Sequence, residues 1–172
     1  MARQLQGNGL ALSGGGYRAS LFHLGVTRRL HELGILQQVT RLSSVSGGSI
    51  LAGFLAHRML ERDSRRLAFD DWEAEVSAPF RKLTREDIRT GLLVRHIAWN
   101  WIWPAPRARG LEKAFRKRIG ARRLVELPEK ADDSIEFIFL ATNIETGTPW
   151  RFTAEKIGTY ATPESMTIAE AV

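Results

Sequence analysis

The chain contains no cysteine. That excludes disulfides, thiolate zinc sites and a cysteine nucleophile together. Histidine is scarce: His23, His31, His57 and His96 are the only four. None of them pair at the H-E-x-x-H spacing of a metal site, so neither a metal nor a cofactor is expected. No apolar run approaches the ~20 residues that a membrane span needs. Residues 1–9 are polar and lack the apolar core of a signal peptide. The expectation is a cytoplasmic protein that meets membranes only at their surface. There is no internal repeat and no low-complexity tract.

What is present suits one folded domain: 172 residues, 44% of them hydrophobic. Lys and Arg number 25 against 19 Asp and Glu, a net charge of +6. That balance favours anionic partners such as a membrane surface or phospholipid headgroups. No nucleic-acid-binding module is recognisable, and no nucleic-acid partner is expected. Nothing in the sequence sets an oligomeric state.

Residues 9–12 form a short apolar run that breaks at Ser13-Gly14-Gly15-Gly16, which predicts a buried strand entering a glycine loop. Residues 17–33 read as a helix. Leu21, Leu24, Leu30 and Leu33 are spaced for one core-facing side, and Gly34 stands where a C-terminal glycine belongs. Residues 39–45 predict a second strand, broken by Ser46-Gly47-Gly48, with a helix over 50–61. Strand, loop, helix, strand, tight turn and helix in that order predict a parallel α/β sheet. Residues 62–129 are charged and irregular. Residues 135–142 and 150–153 read as a strand and its return across a turn at 145–149.

Two segments carry chemistry. In Ser44-Val45-Ser46-Gly47-Gly48 a serine stands between a strand and a helix. An α/β sheet needs such a sharp turn to project a nucleophilic Oγ from its edge, with small residues two before and two after to relieve crowding. Ser44 and Gly48 hold those positions. The following helix aims its N-terminus at Ser46, which favours a developing oxyanion. The alternative is a glycine-rich turn with an incidental serine. In Gly14-Gly15-Gly16-Tyr17-Arg18, three glycines let backbone N–H groups converge on one point, as an acyl-transfer oxyanion hole requires. Arg18 anchors that loop or adds positive charge beside it. The same loop also fits G-x-G-x-x-A dinucleotide spacing, so a nucleotide- or phosphate-binding module stands as a second reading. The strand at 39–45 lacks the acidic residue that fingerprint wants.

The loop and the elbow together resemble the patatin-like phospholipase family. Gly14-Gly15-Gly16-x-Arg18 matches its G-G-G-x-R/K loop, and Ser44-Val45-Ser46-Gly47-Gly48 matches its G-x-S-x-G elbow except at the first glycine. Weaker similarity runs through residues 111–127 and 137–152. The resemblance implies an α/β fold, a parallel-rich sheet sandwiched by helices and related to the α/β hydrolases. It also implies a Ser–Asp dyad and metal-free hydrolysis of lipid acyl esters. Ser46 is then the nucleophile, Gly14, Gly15 and Gly16 are the oxyanion donors, and Arg18 supports the loop. The implied substrate is a lipid ester.

The family's aspartate sits in an Asp-Gly motif. Here Asp63, Asp70, Asp71, Asp87, Asp132 and Asp133 all lack a following glycine. Thr167-Ile168-Ala169-Glu170 has capping-box spacing, the start of a helix too short to be stable alone. Residues 1–172 are therefore expected to be the N-terminal portion of a single patatin-like domain, truncated before its aspartate and inactive by itself. A non-catalytic lipid-binding scaffold is the third reading. His57 and His96 follow Ser46 in order, as a Ser-His-Asp enzyme would need, but read as packing or surface residues. Trp99, Trp101 and Trp103 beside a basic stretch are either an interfacial contact or an aromatic core cluster.

Overall fold

The computed structural model describes residues 7–85, 116, 120–129, 131, 133–158 and 166–172. Trp99, Trp101, Trp103, His96, Asp87, Asp132 and most of the basic stretch lie outside the described residues.

A four-stranded sheet in the order β1-β2-β3-β4 organises the molecule. Its strands are β1 (Asn8–Leu12), β2 (Val39–Val45), β3 (Glu136–Thr142) and β4 (Pro149–Phe152). β1, β2 and β3 run parallel, and β4 returns antiparallel on β3. The architecture is α/β with a parallel-rich sheet and flanking helices, as the element order predicts. The register sets Leu10, Leu12, Leu42, Ser44, Phe137 and Phe139 on one face, because paired residues of parallel strands share a side. Against that face lies α2 (Gly47–Glu61), buried almost all round at Ile50, Leu51, Ala52, Phe54, Leu55, Ala56 and Met59. A helix apolar on every side needs neighbours on every side. α1 (Gly16–Glu32) packs along it, and α3 (Ala78–Arg85) meets it where the Phe54 and Phe80 rings lie edge to face, 5.2 Å apart.

The opposite sheet face keeps the Arg41–Glu136 ion pair (2.8 Å), with Ser43, Ile138 and Leu140 half-buried and Val45 exposed. The charged middle of the chain contributes to the core after all. Leu67, Phe69, Trp72, Val76, Phe80 and Leu83 are buried, while Arg62 holds Asp70 and Glu75 at the surface. α4 (Ile168–Ala171) is capped as its sequence predicts. Thr167 Oγ1 accepts from the Glu170 N–H, and the Thr167 N–H donates to the Glu170 carboxylate.

α1 corrects one expectation. Leu21 and Leu33, read as core-facing, are 43% and 52% exposed. The buried side carries Ser20, His23, Leu24 and Thr27 instead. Its polar groups are satisfied without water: Thr27 Oγ1 donates to the His23 carbonyl (2.8 Å) and Ser20 Oγ to the Gly47 carbonyl (2.6 Å).

Candidate active site

The turn between β2 and α2 holds a backbone conformation that an L-residue adopts only under constraint. Ser46 has φ 52 and ψ −120. With Asp63 it is the only non-glycine residue at positive φ among the described residues. Such a conformation costs of order 1–3 kcal/mol and persists only where the surroundings over-determine it. The surroundings here are two glycines pressed onto backbone. A Cβ on Gly47 would lie 2.3 Å from the Gly16 carbonyl oxygen, and one on Gly48 would lie 2.4 Å from the Leu12 carbonyl oxygen. The buried Ser20 hydroxyl ties the Gly47 carbonyl to α1. α2 is thereby seated on the end of β1 and the start of α1, and its first turn drives the chain through Ser46. The Ser46 side chain is exposed and does not cap its own helix. This is what a nucleophile at a sheet edge requires.

The glycine loop lies directly alongside. The ideal Cβ of Gly14 would meet Ser46 Cβ at 3.3 Å and Oγ at 3.9 Å, so a side chain at residue 14 would crowd the serine. Gly15 (φ 136) and Gly16 (φ 62) use backbone freedom that only glycine has without cost. The N–H groups of Gly14 and Gly15 make no turn or loop hydrogen bond among the described residues. Two helix N-termini converge here, since Gly16 opens α1 and Gly47 opens α2. Neither helix has a side-chain cap or an acidic residue in its first turn. Uncapped N–H groups at two helix N-termini favour developing negative charge beside Ser46.

Ser44, the departure from glycine in the elbow, is 2% exposed. Its Oγ is 3.1 Å from that of Ser49, a buried residue on the first turn of α2. The extra hydroxymethyl is accommodated by a hydrogen-bonding partner on the facing helix. Arg18 is exposed on α1, with no hydrogen bond or ion pair among the described residues. A residue that the sequence did not single out also reaches the loop. His23 Nε2 lies 3.0 Å from the Ser13 carbonyl oxygen and 3.2 Å from Ser13 Oγ. The available signal was the polar set Ser20, His23 and Thr27, which recurs with helical spacing.

No described aspartate lies at the Ser46 edge. α2 has 15 residues, about 22 Å at 1.5 Å per residue, and Asp63 follows its far end. Asp70 pairs with Arg62, also beyond that end, and Asp71 caps the neighbouring turn through Ala74. Asp133 precedes β3 and, because β2 and β3 are parallel, sits at the opposite edge of the sheet. His57 is roughly 16 Å along α2 from Ser46. It is half-buried, and its ring lies against Gly120. Burial lowers its pKa, the charge of Glu61 opposing that and those of Arg58 and Arg122 adding to it. It is a packing residue, as its position in the sequence suggested. Among the described residues no three His, Asp or Glu side chains cluster as a metal site.

The model of the patatin-like phospholipase family matches residues 10–172. No curated protein sequence matches the chain. Among solved structures, human GIVD cytosolic phospholipase A2 in complex with methyl gamma-linolenyl fluorophosphonate superposes with a TM-score of 0.61 at 17% identity. The match covers 92% of this chain and 25% of that one. The heterodimeric ExoU–SpcU complex of the type III secretion system of Pseudomonas aeruginosa matches with a TM-score of 0.45 at 17% identity, over 95% of this chain and 35% of that one. The chain thus spans about a quarter to a third of the length of these structures.

Proposed function

The chain belongs to the patatin-like phospholipase family, and on that premise we propose that it carries the nucleophile and oxyanion half of a serine lipid acyl hydrolase. The observation that carries this reading is Ser46 itself. An exposed serine is held at positive φ between β2 and α2, with Gly14 against its side chain and two uncapped helix N-termini beside it.

In the proposed reaction Ser46 Oγ attacks the ester carbonyl carbon of a fatty-acyl lipid. Its proton passes to a carboxylate, and the negative charge that develops on the carbonyl oxygen is met by backbone N–H groups of Gly14, Gly15 and Gly16. Collapse breaks the carbon–oxygen bond to the alcohol, which leaves with that proton, and water then hydrolyses the acyl-enzyme. We place the carboxylate on an aspartate outside these 172 residues, since the described aspartates stand away from the Ser46 edge and no aspartate of the sequence is followed by glycine, as the family's motif has it. On this reading residues 1–172 supply the nucleophile and the oxyanion loop and hydrolyse little without that aspartate. The substrate is presented at an anionic membrane surface. Support comes from the net charge of +6 and from exposed apolar side chains on the elements around the site, Phe22 on α1 (68%) and Ile144 in the turn after β3 (96%). No helix of the described residues is long and apolar enough to cross a membrane.

The test is labelling of the full-length gene product with a long-chain fluorophosphonate, read by intact mass. The parent gains one phosphonyl group and Ser46→Ala gains none. A folded parent that fails to label overturns the reading. Thermal stabilisation by nucleotides would then favour a phosphate-binding role for the glycine loop.

A further inference from the structure

The geometry points to His23 as a positioning residue that aims the Gly14 amide of the oxyanion hole. The inference rests on the hydrolase reading above. Two distances define the contact: His23 Nε2 to the Ser13 carbonyl oxygen at 3.0 Å, and to Ser13 Oγ at 3.2 Å. A carbonyl oxygen only accepts, so Nε2 carries the proton and donates to it, an assignment made from the network. The ring is 6% exposed, and this contact satisfies a donor that burial would otherwise penalise.

The consequence follows from the peptide bond. No cis peptide occurs among the described residues, so the Ser13–Gly14 unit is planar and trans. Its C=O and N–H point in opposite directions. A hydrogen bond that fixes the Ser13 carbonyl toward α1 fixes the Gly14 N–H away from it. Gly14 is the loop residue whose Cβ direction meets Ser46 Cβ and Oγ. Its N–H makes no turn or loop hydrogen bond among the described residues, so nothing else within the loop sets the plane of this peptide. With Gly14 on its C-terminal side, an unanchored Ser13–Gly14 peptide would be free to flip. His23 reaches back from the body of α1 and removes that freedom before substrate arrives, which is how a donor comes to act without reorganising.

The test uses the full-length protein and two readouts: the second-order rate of labelling by a long-chain fluorophosphonate, and kcat and KM for p-nitrophenyl butyrate. His23→Leu keeps the approximate volume and loses the donor. His23→Asn keeps polarity but falls short of the carbonyl. Both should lower the labelling rate and kcat on the order of tenfold, below the full 10²–10³ for losing an oxyanion donor, with KM within about twofold. His23→Gln places an N–H close to the Nε2 position and should restore most of the rate. Ser13→Ala leaves the carbonyl in place and should label like the parent. If His23→Leu does not fold, the His23→Asn and His23→Gln pair carries the comparison. Folded variants that all label at the parent rate overturn the inference while leaving the hydrolase reading intact. So does a His23→Gln as slow as His23→Asn, which would mean that ring shape matters and the donor does not. A folded parent that does not label overturns both.

Discussion

Replacing Gly47 by alanine tests the claim that the elbow is held by backbone-to-backbone contact. The added methyl would lie 2.3 Å from the carbonyl oxygen, 2.6 Å from the nitrogen and 2.9 Å from the carbonyl carbon of Gly16. Ordinary contact begins near 3.4 Å, so α1 and α2 must part by about 1 Å at their first residues. All three atoms are backbone, and no side chain can rotate away. Overpacking of this kind costs roughly 1–3 kcal/mol, offset by at most about 1 kcal/mol from the better helix propensity of alanine. The effect on reactivity should be larger than on stability. A displacement of about 1 Å between nucleophile and oxyanion donors costs on the order of 10²-fold in rate. Gly47→Ala should therefore remain folded in a urea titration and label with fluorophosphonate about 10²-fold more slowly than the parent. Gly25→Ala is the control. Nothing lies within 4 Å of its Cβ position in the exposed middle of α1, so it should gain up to about 1 kcal/mol and label normally. A Gly47→Ala protein that labels within twofold of the parent would refute the reasoning.

Two further outcomes follow from the same contacts. Ser20→Ala leaves the buried Gly47 carbonyl without its 2.6 Å donor, and should lower unfolding free energy by about 1–3 kcal/mol in urea titration. An unchanged midpoint would show that water or the helix replaces the bond. His57, held neutral by burial, has a folded pKa below its unfolded value near 6.5. The unfolded chain then binds the proton first as pH falls, so stability is fully present above about 6.5 and is lost as pH drops toward the folded pKa. Glu75 and Glu126 also sit below their ordinary range. For Glu75, burial is outweighed by hydrogen bonds from the Asp71 N–H and Arg62; for Glu126 the Arg123 N–H leads. Their loss comes at lower pH, below about 4.5. His57→Gln should accordingly flatten the decline of melting temperature between pH 7 and 5 while leaving the steeper loss below pH 4.5.

Much of the scaffold was legible because its punctuation is local. Gly34 ends α1 at φ 68, β2 runs over the Val39–Val45 span that the glycines after it delimit, and Thr167 caps α4. α1 was misread on one side because hydropathy counts Ser20, His23 and Thr27 as polar. Each is buried with its hydrogen bonds made to backbone nearby. α2 begins at Gly47, ahead of the residue-50 start that its apolar run suggested, because close packing on Gly16 and Leu12 demands glycine where propensity disfavours it. The buried residues from Leu67 to Leu83 were obscured by the charges between them, which pair at the surface. In the site, Ser46 and the three glycines were legible by motif. His23 was not, because what it does depends on a ring reaching ten positions back along the chain to Ser13.

The contacts that shape Ser46 span shorter stretches of chain than the pairing of β2 with β3, where Arg41 meets Glu136. Gly14 meets Ser46, Gly16 meets Gly47, Leu12 meets Gly48, and Ser20 reaches Gly47 across 27 positions. Closing loops of that size costs less entropy than closing the longer one between β2 and β3, so these contacts are expected to form ahead of that pairing. During synthesis both sides of these contacts emerge before β3 does. A site assembled in that order has its serine shaped before β3 and β4 join the sheet.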